Sequence, residues 1–451
     1  MTFDLTNRPV MVVGIASTGL AVTRFLRDRG ACVTMSDVMT AEQLGNKINE
    51  AVSLGVTLKL GRHDVGDFTS QSLVVISPGV PHTVEAIKKT MEAGIPVIGE
   101  IELAAQYISD PIVAVTGTNG KTTTTELVGQ MLARSGLEVF VGGNIGNPLI
   151  DYVNAGMDKD VVVAEISSFQ LDTTSTFKPK VSLLLNVTPD HLDRYRDFGE
   201  YTASKGKIFQ NQDQHDYAIL NKADRATEIL APKIAATLLY FNAGRNSERG
   251  AWLDEQGLHC HLPGQEPHTF DLSCLQIKGK HNVENVAAAS LAALAVGASP
   301  SGITETLCRF TGLRHRLEYV TTVNGTQYYD DSKGTNVDAV ARALESFEAP
   351  VILIMGGRDK GGDYKILENL IHTRVKVLVV IGEAQNRIVD ALGKYARTEK
   401  ATGLPEAVQT ARLAANPGEV VLLSPGCSSF DMFKDYAHRG EIFRRSVRQL
   451  Q

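Results

Sequence analysis

Cysteine, tryptophan and strongly apolar segments are scarce in this chain of 451 residues. Its five cysteines are Cys32, Cys260, Cys274, Cys308 and Cys427, an odd number with no Cys-x-x-Cys spacing. This pattern argues against a disulfide framework or a zinc site and fits a reducing cytoplasm. We therefore expect neither a disulfide framework nor a zinc site.

Basic clusters and membrane segments are also missing. The net charge is −6, which does not indicate a basic surface that binds nucleic acid. No cluster of Lys and Arg residues indicates binding to a membrane surface. The longest run of small apolar residues, 286–298, is too short to span a bilayer, and the N-terminus lacks the apolar stretch of a signal peptide. The sequence predicts a soluble cytoplasmic protein that neither inserts into membranes nor binds nucleic acid. Its length allows two to four domains with their own cores.

A phosphate-binding pattern follows the apolar run 112–115. A strand, a glycine-rich turn and a helix start are predicted together at Thr116-Gly117-Thr118-Asn119-Gly120-Lys121-Thr122-Thr123. In such loops the backbone N–H groups and the helix N-terminus bind phosphate, the lysine reaches the terminal phosphates, and the Thr after it can hold magnesium. Val115 stands where the first glycine of the standard spacing would be, so this loop is a variant. A plain turn needs neither the Lys nor the Thr, so the pattern predicts nucleoside triphosphate binding.

The first segment alternates short strands and helices, which predicts a parallel sheet with ligands at the strands' carboxyl ends. Predicted strands are 10–13, 32–36 and 73–76. The turn Gly14-Ile15-Ala16-Ser17-Thr18-Gly19, with Asp37 further on, resembles a dinucleotide fingerprint. Ala16, however, replaces the glycine that lets a pyrophosphate approach, which favours another nucleotide-like ligand over NAD.

Two more segments repeat the strand–turn–helix plan. Strands are predicted at 112–115, 161–165, 181–186 and 217–221, and then at 350–355, 375–381 and 419–424. We therefore expect an α/β protein of three domains: a Rossmann-like N-terminal domain (1–98), a central P-loop ATPase-like domain (99–312) and a Rossmann-like C-terminal domain (313–451). The ligand loops of the last domain should be 330–336, 356–363 and 425–430.

Polar residues follow the central strands. Glu165 ends the run 161–164, where a carboxylate can face magnesium beside the P-loop, although such a residue can also be a cap. His191 lies in a segment rich in Asn, Asp and Arg, which favours a ligand role over a surface loop. Asn282 and Asn285 lie one turn apart and can bind a base or ribose, or cap the following helix. Lys205, by its spacing alone, is an ordinary solvated lysine.

Taken in order, these segments resemble the Mur ligases, the ATP-dependent amide-forming enzymes of peptidoglycan precursor synthesis, over nearly the whole chain. Three motifs indicate the subgroup that adds D-glutamate: Asp190-His191-Leu192-Asp193-Arg194-Tyr195, Asp331-Ser332-Lys333-Gly334-Thr335-Asn336, and the segment 423–433. The motifs typical of the alanine-adding and diamino-acid-adding members are absent. The resemblance implies a place in cell wall biogenesis, and hence in cell shape, cell division and the cell cycle.

The resemblance also implies a role for each matching residue. Besides the loop 117–123, ATP would be bound by Asn144, Asn282, Asn285, Arg316 and Asp331. The UDP-sugar would be bound by Ser17, Thr18, Asp37, Ser77, Pro78, Gly79, Ser167 and Gln170. D-Glutamate would be bound by Lys333, Thr335, Lys360, Ser429 and Phe430. Two magnesium ions would be held by Thr122, Glu165, His191 and Lys205.

The implied reaction joins D-glutamate to UDP-N-acetylmuramoyl-L-alanine through an acyl phosphate made from ATP, with Lys121, His191 and Lys205 as catalytic residues. Lys205 would be carbamylated, which requires that burial lower its pKa, because the neutral amine reacts with carbon dioxide. A monomer is expected.

Other functions stay open at this point. One is a ligase of the same superfamily with a different acceptor, such as a folylpolyglutamate synthetase. Another is a nucleotide-dependent regulator that uses the P-loop as a switch, which leaves Lys333 and Lys360 without a role. An NAD-linked oxidoreductase is disfavoured by Ala16.

Overall fold

The computed structural model describes residues 4–190, 194–244, 249–359 and 361–450. Three parallel or mostly parallel sheets, flanked by helices, form along the chain, and a small antiparallel sheet is added to the second. This confirms the predicted α/β class. Within the described ranges no helix has both the length and the apolar character that crossing a bilayer would need.

The first sheet has five parallel strands in the order β3-β2-β1-β4-β5. Its strands are β1 (Pro9–Val13), β2 (Cys32–Asp37), β3 (Thr57–Leu60), β4 (Leu73–Ile76) and β5 (Val97–Gly99). The helices are α1 (Ser17–Asp28), α2 (Ala41–Leu44), α3 (Asn46–Ser53), α4 (Val65–Thr69) and α5 (Glu85–Glu92). The central strands β1 and β4 are apolar runs buried on both faces, as expected for a covered parallel sheet, whereas the edge strand β3 is partly exposed.

The second sheet is six-stranded and parallel, in the order β11-β10-β9-β6-β8-β7. Its strands are β6 (Ile112–Thr116), β7 (Val139–Gly143), β8 (Val161–Glu165), β9 (Val181–Leu184), β10 (Tyr217–Asn221) and β11 (Thr237–Phe241). The helices are α6 (Glu100–Ala105), α7 (Lys121–Arg134), α8 (Leu149–Asn154), α9 (Ser168–Leu171), α10 (Phe198–Gly206), α11 (Arg225–Leu230), α12 (Lys280–Ala295) and α13 (Pro300–Arg309). Short 3-10 helices occur at Lys207–Phe209 and Ala231–Lys233.

A small antiparallel sheet, absent from the sequence prediction, lies between β11 and α12. Its strands are β12 (Gly250–Asp254), β13 (Gly257–His261) and β14 (His268–Phe270). After it, Cys274 forms a disulfide with Cys308 on α13. This single disulfide was not predicted, because the fold brings together two cysteines that lie 34 residues apart, which sequence spacing does not reveal.

The third sheet has the order β15-β16-β20-β17-β18-β19. Its strands are β15 (Glu318–Val323), β16 (Thr326–Asp330), β17 (Val351–Gly356), β18 (Val375–Ile381), β19 (Arg397–Lys400) and β20 (Val420–Leu423). The helices are α14 (Val337–Leu344), α15 (Glu368–Arg374), α16 (Gln385–Leu392), α17 (Leu404–Ala414) and α18 (Tyr436–Arg448), with a 3-10 helix at Tyr364–Leu367. The edge strand β15 pairs antiparallel with β16 through a hairpin, which the strand–helix alternation did not predict.

Buried side chains show how the sheets are joined. One apolar cluster runs from the first sheet into the second and includes Phe25, Ile101 and Tyr152. The third sheet instead has separate clusters on its two faces. The domain boundaries proposed from the sequence stay predictions.

Glu100 lies at the junction of the first two sheets. Its carboxylate accepts a hydrogen bond from the backbone N–H of Ile150, in the first turn of α8, at 2.7 Å. Burial raises the pKa of this carboxyl to about 7. The hydrogen bond therefore links α8 to α6. Burial favours the neutral form of the carboxyl group.

Candidate active site

The P-loop is held in place by Asn186, which lies two residues after the neighbouring strand β9. Asn186 accepts a hydrogen bond from the Asn119 N–H at 2.9 Å and donates one to the Asn119 carbonyl at 3.0 Å. Gly120, at φ +87°, turns the chain into α7, and a Cβ there would lie 2.4 Å from the Asn285 side chain. A side chain at position 120 would therefore collide with α12. The loop presents the N-terminus of α7 to the carboxyl edge of the sheet, where a phosphate binds well.

Lys121, the first residue of α7, lies over this loop. Its Nζ donates to the carbonyls of Gly117 and Thr118 at 2.8 and 2.9 Å. Burial is the main reason that its pKa is lowered, while the carboxylate of Glu165 opposes the shift. The ammonium is thus held against the phosphate-binding turn by acceptors of the loop itself.

Lys205 is not the solvated lysine that its spacing indicates. Only 1% of the residue is exposed, and Nζ donates to the carbonyl of Gly117 at 2.9 Å. The same Nζ lies 4.6 Å from the ring centre of Tyr201, one helical turn earlier on α10. Burial, followed by the charge of Lys121, lowers the pKa of Lys205 well below its usual range. The neutral amine is therefore easier to reach here than in an exposed lysine.

Glu165 is the last residue of β8, and only one of its two carboxylate oxygens has a hydrogen-bond partner among the described residues. Asn144 donates to Oε1 at 2.8 Å, whereas Oε2 is buried with no hydrogen-bond partner among the described residues. Thr122 lines the same cavity, and its Oγ1 accepts a hydrogen bond from Arg316 at 2.6 Å. A hydroxyl and a buried carboxylate oxygen are hard donors of the type that magnesium prefers.

One cavity collects most of the residues predicted for phosphate and metal. The predicted residues that line it are Thr118, Asn119, Gly120, Lys121, Thr122, Asn144, Glu165, Ser167, Lys205, Arg316, Lys333 and Thr335. They come from strand ends, loops and helix starts of the second and third sheets, and from α10. The structure thereby brings together side chains that are more than 200 residues apart in sequence.

An adjoining cavity contains the residues predicted for the rest of the nucleotide. Asn282, Asn285, Arg316 and Asp331 line it together with Gly120 and Thr123. Asp331 accepts from the Ser424 hydroxyl at 2.7 Å and from the Leu317 N–H at 3.2 Å. Burial raises the pKa of this carboxyl to about 7. The two cavities share Asn119, Gly120, Arg316 and Lys333, so one elongated ligand can occupy both.

Only some of the residues predicted to bind D-glutamate lie together in the cavity. Lys333 and Thr335 line the first cavity, and the Lys333 ammonium lies 3.8 Å from the ring centre of Tyr436. Ser429 is buried, whereas the side chain of Phe430 is exposed and belongs to neither cavity lining. Lys360 and His191 lie outside the described residues.

The residues predicted for the UDP-sugar lie mostly on the first sheet, away from these cavities. Asp37 is the last residue of β2, and the others follow the carboxyl ends of β1 and β4: Ser17, Thr18, Ser77, Pro78 and Gly79. Asp37 accepts from the N–H groups of Ile15 and Met39 at 2.8 and 2.9 Å, so it also shapes the first turn. On the second sheet, Ser167 and Gln170 form a reciprocal cap at the start of α9.

Other residues at this edge were given no role from the sequence. Asp190 accepts from Asn336 at 3.1 Å, and Asp338 accepts from Asn119 at 2.7 Å, so both link the second sheet to the third. Tyr201 contacts both Lys205 and the Thr118 hydroxyl. The spacing of Tyr201 four residues before Lys205 could have indicated that contact, because such pairs share a helix face.

Comparison with known proteins agrees with this arrangement. Three family models match in order: the Mur ligase MurD-like N-terminal domain at residues 8–99, the Mur ligase middle domain at 115–293, and the Mur ligase glutamate ligase domain at 315–427. Curated proteins from Desulfosudis oleivorans and Desulfatibacillum aliphaticivorans, both named UDP-N-acetylmuramoylalanine–D-glutamate ligase, are each 48% identical to this chain. The first alignment covers 99% of this chain and 97% of the relative, and the second covers 99% of both.

Among solved structures, the MurF ligase of Thermotoga maritima in complex with ADP has the same fold. The TM-score is 0.60 at 16% identity, and the match covers 100% of both chains. The motifs, the fold and these relatives agree, and the resemblance inferred from the sequence is confirmed: the chain belongs to the Mur ligase family.

Proposed function

We propose that this protein is an ATP-dependent ligase that adds D-glutamate to UDP-N-acetylmuramoyl-L-alanine in peptidoglycan precursor synthesis. The observation that carries the proposal is the meeting of the P-loop, Lys205 and Lys333 in one cavity. The names of the full-length relatives support the choice of substrates.

The chemistry requires an activated carboxylate, because amide formation from a free acid and an amine is uphill in water. The γ-phosphate of ATP passes to the carboxylate of L-alanine, and ADP leaves. The amine of D-glutamate then attacks the acyl phosphate, a tetrahedral intermediate forms, and inorganic phosphate leaves with its bonding electrons. The amine loses a proton in this step.

Lys121 serves the first step by offsetting repulsion between two anions. Its Nζ is held at the P-loop, beside the position where the terminal phosphate of a bound nucleotide would lie. The N-terminus of α7 adds its partial positive charge at the same point. Magnesium, held by Thr122 and Glu165, would supply further positive charge there. The buried Oε2 of Glu165, which has no partner within the described part of the chain, supports this choice of ligands.

Lys205 supplies the second part of the proposal, a carbamate. Its buried, neutral amine attacks carbon dioxide, an N–C bond forms, and one proton is released to give an anion. Such an anion suits a second magnesium ion, for which His191 is the other proposed ligand. Lys121 lies close enough to influence the pKa of Lys205, so its charge would also stabilise the carbamate.

The third sheet would receive D-glutamate. The amino acid carries two carboxylates, so ammonium and hydroxyl groups suit it, and charge-assisted hydrogen bonds to such groups are short and strong. Lys333, Thr335 and Ser429 are proposed for this role, together with Lys360 and the backbone of Phe430. Asn282, Asn285, Arg316 and Asp331 are proposed to hold the nucleotide, and the first-sheet residues to hold the UDP-sugar.

Phosphate release tests the proposal directly. The purified protein is given ATP, magnesium and UDP-N-acetylmuramoyl-L-alanine, with D-glutamate in one assay and L-glutamate in another. We expect phosphate release and a product heavier by one glutamyl residue with D-glutamate only. Equal turnover with L-glutamate, or none with D-glutamate, would reject the assignment, and release without any UDP-sugar would favour a nucleotide switch.

A monomeric state and a cytoplasmic location complete the proposal. Both fit an enzyme whose three substrates are small soluble molecules. Light scattering during size-exclusion chromatography measures the mass, and one chain corresponds to 48.8 kDa.

A further inference from the structure

Arg439 is a fully buried arginine in the first turn of α18. Its Nε donates to the Ser332 hydroxyl at 2.9 Å, and Nη2 donates to the Ser332 carbonyl at 2.8 Å. Its Nη1 donates to the Cys427 carbonyl at 3.1 Å. One guanidinium therefore binds two separate loops of the third sheet.

These loops are the two that carry the proposed D-glutamate ligands. Ser332 directly precedes Lys333, and Cys427 lies two residues before Ser429. A backbone hydrogen bond from the Gly426 N–H to the Gly334 carbonyl, at 2.9 Å, joins the loops at another point. Two points of attachment restrain both the separation of the loops and their rotation about each other.

The surroundings of the guanidinium leave little room for adjustment. A Cβ at Gly357 would lie 3.2 Å from Nη1 of Arg439 and 2.3 Å from the Ser428 carbonyl oxygen. Burial lowers the pKa of Arg439 to about 10, and the nearby carboxylates of Asp431, Asp330 and Asp331 oppose that shift. The group is therefore charged at neutral pH and is confined in one orientation.

A lysine at this position would keep the positive charge but lose the planar arrangement of the three nitrogen donors. The guanidinium is planar, and its Nε, Nη1 and Nη2 donors point in fixed directions, whereas an ammonium is a compact point charge on a flexible stem. An ammonium cannot span the Ser332 hydroxyl, the Ser332 carbonyl and the Cys427 carbonyl in the same way.

We propose that Arg439 is a positioning residue for the acceptor amino acid: by joining the Ser332 and Cys427 loops, it sets the distance between Lys333 and Ser429 and so the fit of D-glutamate. The inference rests on the proposed function. Arg439 touches neither nucleotide nor substrate in this scheme, and it acts through the two loops.

Steady-state kinetics of full-length Arg439→Lys test this role, with each of the three substrates varied in turn. We expect the KM for D-glutamate to rise at least tenfold, while the KM values for ATP and the UDP-sugar change less than threefold. Arg445→Lys, an exposed arginine on the same helix, is the matched control and should leave all three values unchanged. Equal rises in all three KM values, or no rise for D-glutamate, would overturn the proposal.

Ser332→Ala decides the question if Arg439→Lys does not fold. It removes one of the three acceptors of the guanidinium and leaves Arg439 in place. A rise of about threefold in the KM for D-glutamate alone is expected, and an unchanged value overturns the proposal. The wild-type protein is assayed first: absence of D-glutamate turnover there rejects the proposed function, whereas normal turnover with unaffected variants rejects only the role of Arg439.

Discussion

The two junctions between the large sheets are built in opposite ways. The first and second sheets share one apolar cluster, in which Ile101 and Tyr152 are almost completely buried. The second and third sheets contact each other at the active site through polar side chains, such as the hydrogen bonds Asn119–Asp338 and Asn336–Asp190. Apolar burial stabilises a fixed arrangement, whereas polar contacts exchange with water at little net cost. We therefore expect the junction of the first and second sheets to contribute mainly to stability. The junction of the second and third sheets should contribute mainly to ligand binding and chemistry.

Lys205→Ala should have the largest effect on activity of all the variants. The result would show that the reaction depends on the polar junction between the second and third sheets. We expect kcat for amide formation to fall about 1000-fold or more, because no carbamate can form, while thermal stability changes little. Small added carboxylates should restore part of the rate. Lys207→Ala is the matched control, since Lys207 is a partly exposed lysine paired with Asp172. Full activity of Lys205→Ala would rule out the carbamate.

Ile101→Ala tests the apolar junction. Loss of a fully buried isoleucine side chain should lower the free energy of unfolding by about 2–5 kcal/mol. Denaturant titration measures this loss, and kcat of the folded protein should stay near the wild-type value. Ile366→Ala is the control, because Ile366 is 58% exposed. If Ile101→Ala changed kcat and left stability intact, the division of roles between the junctions would be wrong.

The buried carboxyl of Glu100 gives the same junction a pH dependence. Its pKa is raised to about 7 from an ordinary value of 4.5, so the folded chain binds more protons than the unfolded chain between these values. The free energy of unfolding should therefore fall as pH rises through this window, by about 1–3 kcal/mol. Glu100→Gln should remove that decline, as measured by denaturant titration at pH 5 and pH 8.

Glu102 is the internal control for this pH effect. Burial raises its pKa, but hydrogen bonds from Thr176 and Ser175 outweigh burial, so its pKa is lowered. Its contribution should therefore be lost as pH falls, the opposite sign to Glu100. A Glu102→Gln variant with the same pH profile as Glu100→Gln would contradict both assignments.

Asp338→Asn should have the smallest effect. It weakens the contacts of Asp338 with Asn119 and with Arg342, and stability should fall by about 1 kcal/mol or less. The KM for ATP should change about threefold, because Asn119 belongs to the P-loop. Kinetics and thermal unfolding of one preparation measure both quantities, and a stability loss as large as that of Ile101→Ala would remove the distinction between the junctions.

The sequence predicted the parts of the fold that depend on local pattern. Apolar runs located β1, β6, β8, β17 and β18 to within about one residue, because a parallel strand that is buried on both faces is apolar throughout. The small sheet and the antiparallel β15 were missed, because their strands are partly exposed and none is a continuous apolar run. The Cys274–Cys308 disulfide was missed because it depends on contacts distant in sequence.

The candidate site shows the same limit. The P-loop has a strong local signal, so Lys121 and Thr122 could be placed from spacing alone. The burial of Lys205 is created by α10 packing against the Gly117 turn, 88 residues away, and only the family resemblance pointed to it. Arg439 had no signal at all, since a charged residue in a polar helix gives no indication of complete burial.

The hydrogen bond from Arg316 to the Thr122 hydroxyl has a thermodynamic consequence. A cation held by Thr122, as proposed above, would approach the oxygen atom to which Arg316 donates, so the cation and the guanidinium would repel each other. Any change that weakens the Arg316–Thr122 hydrogen bond would then strengthen cation binding. By linkage, cation binding would weaken the contact between the third sheet and the P-loop by an equal free energy. Metal titrations of the enzyme would then report on movement of a whole domain.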